Sequence, residues 1–134
     1  MPVARNRATE TGQERIRIFV TRKFAGDARN AGIANDQLYK VAREWASRGV
    51  GGNPLGAGVV KARLRNGDFR ALFLEKEEIW IIFAYLFDKQ DEKNVGPKTL
   101  TGFKKLAKDF KNLPAKAFEE MLRSGALVEI CKND

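Results

Sequence analysis

Four cations crowd into one short stretch, Lys61, Arg63, Arg65 and Arg70 of Val59-Val60-Lys61-Ala62-Arg63-Leu64-Arg65-Asn66-Gly67-Asp68-Phe69-Arg70-Ala71-Leu72-Phe73-Leu74. Alternation before Asn66-Gly67 and a β-rich run after it predict two strands around a tight polar turn. Successive side chains on a strand point to opposite faces, which sets Lys61, Arg63 and Arg65 on one side and Val60, Ala62 and Leu64 on the other. One face is then a core and the other a row of cations. Like charges in such a row repel unless they are solvated or met by an anion, and a polyanion is the obvious anion. The bland alternative is a solvated face of an exposed antiparallel sheet. Arg70 shares its strand parity with Leu72 and Leu74, and its bland role is an ion pair with a helix.

The rest of the composition narrows the chemistry. The chain has 134 residues, 43% of them hydrophobic, which suits one domain with its own core. Its 25 basic and 17 acidic side chains leave a formal charge of +8, which favours nucleic acid or another anionic partner. There is no histidine. That excludes Ser/His/Asp and Cys/His nucleophilic arrangements, histidine-based ribonuclease chemistry and the usual zinc sites. Catalysis must use lysine, arginine, carboxylates, tyrosine or the backbone, and no metal or cofactor is expected. Gly49-Val50-Gly51-Gly52 lacks a following Gly-Lys-Ser/Thr and reads as a linker rather than a phosphate loop. The single cysteine, Cys131, cannot form an internal disulfide. Without a signal peptide or a long apolar span, a soluble cytoplasmic protein with no membrane partner is expected.

The elements that must position the cations follow from periodicity. Residues 1–14 carry almost no apolar side chains and read as a mobile tail before a single domain over 15–134. Arg15 to Val20 alternates as a first strand. Thr21 caps a helix with Phe24, Ala28 and Ala31 at helical spacing, closed by Gly32. A second helix from Asn35 turns Leu38, Val41, Ala42 and Trp45 inward. Residues 48–58 read as a loop and Glu75-Lys76-Glu77-Glu78 as a turn. Ile79 to Phe87 is apolar on both faces, as a central strand is. A helix beyond Pro97 buries Phe103, Leu106, Ala107 and Phe110 and turns Lys104, Lys105 and Lys108 outward. Those lysines read as a solvated face that can extend an electrostatic footprint. Pro114 opens a short helix closed by Gly125, and Leu127 to Ile130 adds a short strand or apolar clip. The order β-α-α-β-β-β-α-α predicts a small α+β domain, with helices packed on one face of a mainly antiparallel sheet.

These residues resemble the RelE/HigB superfamily of bacterial toxins. The likeness lies in the hairpin Val60 to Arg65 with Gly67 to Phe73. It continues in the central strand leading to Phe87-Asp88-Lys89-Gln90-Asp91-Glu92-Lys93-Asn94, which is similar to the family's Phe-x-Lys-x-Glu-(Lys/Arg)-x-Asn close. The Gly-rich stretch before the basic strand and the C-terminal Leu-Ala-Lys, Leu-Pro and Gly-Ala-Leu-Val-Glu-Ile segments look closest to the HigB-like branch. The resemblance spans about Arg15 to Ile130 and is specific as a combination. It implies a RelE-like fold and a metal-independent endoribonuclease, an mRNA interferase that cuts messenger RNA in the ribosomal A site.

The matching site residues are Lys61, Arg63, Arg65 and Arg70, joined by Lys89 and Lys93 at the end of the last strand. The resemblance also implies a cognate antitoxin, often a helix-turn-helix protein, that covers or distorts the active face. Attack of a 2′-hydroxyl on the adjacent phosphate needs a base, cations for the added charge and an acid for the leaving oxygen. Neighbouring cations favour the neutral form of an ammonium, which makes Lys61 the expected base. Arg63 and Arg70 stay protonated and suit charge stabilisation, and Arg65 suits phosphate positioning. Where several relatives carry tyrosine or histidine after the closing motif, this chain has Asn94-Val95-Gly96. That leaves the general acid open, with Asp88, Asp91 and Glu92 at hand. Two other readings share the scaffold, a ParE-like inhibitor of DNA gyrase and a non-catalytic RNA-binding protein. The four cations argue against the first.

Overall fold

The computed structural model describes residues 16–76, 80–90 and 95–130. The expected tail, Glu77 and Glu78 of the expected turn, Ile79 of the expected central strand, Cys131 and the segment with Asp91, Glu92 and Lys93 lie outside the described residues. Among the described residues eleven elements follow in order. Strand β1 (Arg17–Thr21) leads into helices α1 (Arg22–Ala31) and α2 (Asn35–Arg48). Strands β2 (Gly52–Gly56) and β3 (Val59–Leu64) come next. A 3₁₀ turn (Arg65–Gly67) then leads to β4 (Phe69–Lys76) and β5 (Trp80–Asp88). Helices α3 (Pro97–Lys111) and α4 (Ala115–Ser124) and strand β6 (Leu127–Ile130) complete the domain. The sheet has the order β2-β3-β4-β5-β1-β6. Only the β1/β5 pair is parallel among these neighbours.

The helix ends are set by local chemistry. Thr21 accepts a hydrogen bond from the Phe24 amide at 3.1 Å and so satisfies one of the orphan donors of α1. Gly32, Gly49 and Gly125 take left-handed backbone to close α1, α2 and α4. Pro97 opens α3, where its missing N–H costs nothing.

The fold is the expected α+β class, but the helices cover both faces of the sheet rather than one. On the first face Ile18, Val20, Val60, Ala62, Leu64, Ala71, Phe73, Ile81 and Phe83 pack with Phe24 and Ala28 of α1 and Leu38, Ala42 and Ala46 of α2. On the second, Phe19, Val59, Leu72, Leu74 and Ile82 pack with Ala107 and Phe110 of α3 and Phe118 of α4. The reason lies in the strands themselves. β3, β4 and β5 each carry apolar side chains at both parities, and a sheet buried on two faces needs a layer against each.

Two further segments depart from the sequence-based expectations. Residues 52–56 form an edge strand instead of a loop, with Asn53 opposite Lys61 and Pro54 opposite Val60. An edge tolerates a proline because one row of its backbone groups has no partner to lose. Glycine at 52 has a steric cause. A Cβ there would stand 2.7 Å from Val60 Cγ1 and 3.0 Å from Trp45 Cε3, so α2 closes directly on bare backbone. Glu75 and Lys76 belong to β4 rather than to a turn. Glu75 Oε1 accepts from Trp45 Nε1 at 2.9 Å, which fixes the indole against Phe73 in the packing role expected for Trp45. The Lys76 ammonium lies over the Trp80 and Phe110 rings and donates to the Leu113 carbonyl.

Candidate functional site

β3 and β4 pair in an unbroken register from Val59↔Leu74 to Leu64↔Phe69. Directly paired residues of an antiparallel ladder project to the same face. That register sets Arg63 opposite Arg70 and places both on one face with Lys61, which lies opposite Leu72. The face is the one that α3 and α4 cover further along. Val59, Leu72 and Leu74 fill its apolar end, while the end nearer the turn carries the cations. The expected division into one core face and one charged face is therefore incorrect. A single face is apolar under α3 and cationic beyond it.

Two open clefts meet at the arginine pair. One, about 630 Å³, is lined by Lys61, Arg63 and Arg70 together with Glu44 and Val41 of α2, Gly51, Gly52 and Asn53. The other, about 900 Å³, is lined by Arg63, Arg65 and Arg70, the turn Asn66 to Phe69, and Asp88, Lys89 and Gln90. Arg63 and Arg70 form the wall common to both. Lys89 reaches this place because its amide donates to the Asp68 carbonyl at 3.0 Å, tying the end of β5 to the β3–β4 turn. The Asp88 carboxylate accepts from the Gln90 amide at 2.8 Å, so this candidate acid also shapes the strand end.

The individual cations differ in what holds them. Arg63 is exposed and has no hydrogen-bond or ion-pair partner among the described residues. Arg70 is half-buried and donates to the Gly67 carbonyl at 2.6 Å, which braces the turn. No helix carboxylate pairs with it among the described residues. Lys61 is half-buried beside them. Arg65 leaves the row. It has a φ of +51°, Asn66 follows at +56° and Gly67 at +95°, and this left-handed run swings the chain out of the strand. Its guanidinium donates to the Ala31 carbonyl at 2.8 Å at the end of α1 and lies over the Phe69 ring. Arg65 still lines the second cleft.

Three features of the site were not among the sequence-based candidates. Glu44 and Asn53 face the first cleft, but one is an ordinary polar position of an amphipathic helix and the other sits in a stretch without strand character. Phe87, paired with Arg70 across β4 and β5, packs on the Tyr85 ring at 5.5 Å, and Tyr85 in turn packs on Phe103 at 5.4 Å. This ladder packs α3 against the border of the cationic end. Among the described residues no three carboxylate or thiol side chains gather into a metal-holding group. No helix of the described residues is long and apolar enough to cross a membrane.

The chain belongs to the RelE toxin family, because the model for the RelE toxin of the RelE / RelB toxin-antitoxin system matches residues 16–130. The match begins just before β1 and ends with β6, so it takes in every element of the described residues. Neither the curated proteins nor the solved structures provide a match to this chain.

Proposed function

We propose that this RelE-family chain is an endoribonuclease that cuts messenger RNA, in the manner of a ribosome-dependent mRNA interferase of the HigB-like branch, and that no metal takes part. The observation that carries the reading is the cross-strand pair of Arg63 and Arg70 with Lys61 on the same face. Two guanidiniums opposite one another destabilise a ladder until an anion bridges them, and a phosphodiester supplies that anion.

The 2′-oxygen attacks the adjacent phosphorus, the bond to the 5′-oxygen breaks, and a 2′,3′-cyclic phosphate and a 5′-hydroxyl result. Lys61 takes the proton from the 2′-hydroxyl. Arg63 and Arg70, always protonated, hold the non-bridging oxygens as their charge grows. Arg65 and Lys89 at the second cleft hold the flanking backbone, a role proposed for Lys93 as well, and the Asp88 carboxyl group is the candidate acid for the leaving oxygen. Glu44 gives the first cleft a carboxylate and is the competing base. Membership in a toxin–antitoxin family implies an antitoxin partner, and an acidic segment of that partner is suited to cover the cationic end.

Primer extension on a translated message tests the reading, comparing wild type with Lys61→Ala, Arg70→Ala and Glu44→Gln. Discrete breaks with wild type and their loss by about 10²–10³-fold with Arg70→Ala are expected. Full cleavage by both Lys61→Ala and Arg70→Ala removes the proposal. Retention by Lys61→Ala with loss by Glu44→Gln moves the base to Glu44. Inhibited supercoiling without message cleavage would instead mark a gyrase inhibitor.

A further inference from the structure

The lysines of α3 do not simply face solvent. Lys104, Lys105, Lys108 and Lys111 converge on the β2–β3 turn, and with Ala57 they line an open cleft of about 430 Å³. A methyl group at Gly56 would stand 3.4 Å from Lys104 Nζ, and one at Gly58 would stand 3.3 Å from Lys111 Cε. These two lysines therefore lie against the turn. Ala57 and Gly58 both have positive φ, the backbone that a tight two-residue hairpin turn requires, and this brings the tip under the helix. None of the four lysines has a carboxylate partner among the described residues.

We infer that this lysine cleft binds the sugar–phosphate backbone of the RNA strand that continues from the arginine pair. Three observations favour that occupant. The turn lies at one end of β3 and Arg63 near the other, about 20 Å apart at 3.3–3.4 Å per residue, a span of only a few nucleotides. The lysines and the Lys61–Arg63 row flank the same layer, because α3 packs on the face that carries the row. The cleft also has no aliphatic or aromatic anchor, the feature on which protein partners depend, and its lysines are point charges suited to phosphates without base preference. The identity of the strand rests on the proposed cleavage reading, whereas the backbone site itself stands on the lysines alone.

Fluorescence anisotropy with 2′-O-methyl RNA, which cannot be cut by its own hydroxyl, tests the inference. A 12-mer and a 4-mer are titrated at several salt concentrations against wild type, the Lys104→Gln/Lys108→Gln/Lys111→Gln triple variant and Arg63→Ala/Arg70→Ala. Loss of three phosphate contacts lowers the slope of log K against log salt by about 2. The triple variant is expected to show that change and at least a tenfold weaker grip on the 12-mer, with a smaller effect on the 4-mer, which offers fewer phosphates. An unchanged slope overturns the inference. So does an equally tight, lysine-dependent hold on a 12-residue polyglutamate, which would mark a site for an acidic protein. If Arg63→Ala/Arg70→Ala cuts messages normally while the lysine slope change persists, the cleavage reading falls and the backbone site stands.

Discussion

Replacing Arg63 by glutamine separates the stability of the domain from its activity. Arg63 has no hydrogen-bond or ion-pair partner among the described residues, so the change removes a charge without stranding a neighbour. Arg70 lies directly across the ladder and Lys61 two residues along the same strand. Charges about 6 Å apart repel by about 0.7 kcal/mol at the dielectric of water and by about 2.8 kcal/mol at an effective value near 20. The exposed head of Arg63 and ordinary salt place the effect at the low end, roughly 0.5–1 kcal/mol. Arg63→Gln is therefore expected to raise Tm by about 2–5 °C in low salt. Half-molar salt or inorganic phosphate should erase most of that gain, because both relieve the repulsion in wild type. In the same preparation message cleavage should fall by about 10²–10³-fold, the usual effect of losing one donor to a developing anion. Urea and thermal unfolding at two salt concentrations, beside primer extension, provide the measurements. A variant that is less stable than wild type, or whose advantage ignores salt, would refute the argument that the pair is held in repulsion for a ligand.

Three further predictions concern the frame around the site. Gly52→Ala places a methyl group 2.7 Å from Val60 and 3.0 Å from Trp45, and urea unfolding should register a loss of about 1–3 kcal/mol. Cleavage should weaken too, since Gly52 and Asn53 line the first cleft. At the opposite edge Arg17 Nε and Nη2 hold the two oxygens of Glu129 at 3.0 and 2.8 Å, and the Arg17 guanidinium lies over the Phe19 and Trp80 rings. A double-mutant cycle with Arg17→Met and Glu129→Gln should give a coupling of about 0.5–1 kcal/mol for this half-exposed pair. The hydrogen bonds that Arg17 donates to Glu129 raise the Arg17 titration above its ordinary value. A raised cation contributes below its unfolded titration point and loses that contribution as pH climbs through the folded one. The Arg17 contribution should thus stay constant from pH 7 to 10, and a decline within that window would contradict the assignment.

The basic hairpin was readable because alternation through Lys61 and Arg63 reports a period of two and Asn-Gly marks the turn, whereas Arg70 joins their face only through the register of the two strands. The capped helices were readable for a similar reason, as Thr21, Gly32, Pro97 and Gly125 act within one turn of their own position. What escaped depends on distant partners. Gly52-Asn53-Pro54-Leu55-Gly56 is extended only because β3 supplies the ladder, and nothing in its composition favours a strand. Arg65 has the parity of the row, yet three consecutive left-handed residues turn it to the end of α1, a choice set by the turn rather than by alternation. The second helical layer escaped because the cations of β3 disguised a face that Val59, Leu72 and Leu74 share with them. Glu44 could be placed at the cleft only once α2 and β2 had been brought together.

The position of β1 between β5 and β6 has a consequence for how the molecule is born. Arg17 and Glu129 are clasped although 112 positions separate them along the chain. Everything that builds the arginine pair lies between Gly52 and Lys89, in neighbouring hairpins that can zip as they emerge. The flank of β1, by contrast, stays unpaired until β6 has been made. Closure over so long a loop is the slow kind of folding event. A prematurely released polypeptide would own the charged ribbon but leave β1 open to proteases and to other nascent chains. Pairing of the four-residue β6 is thus the step that covers the open flank of β1.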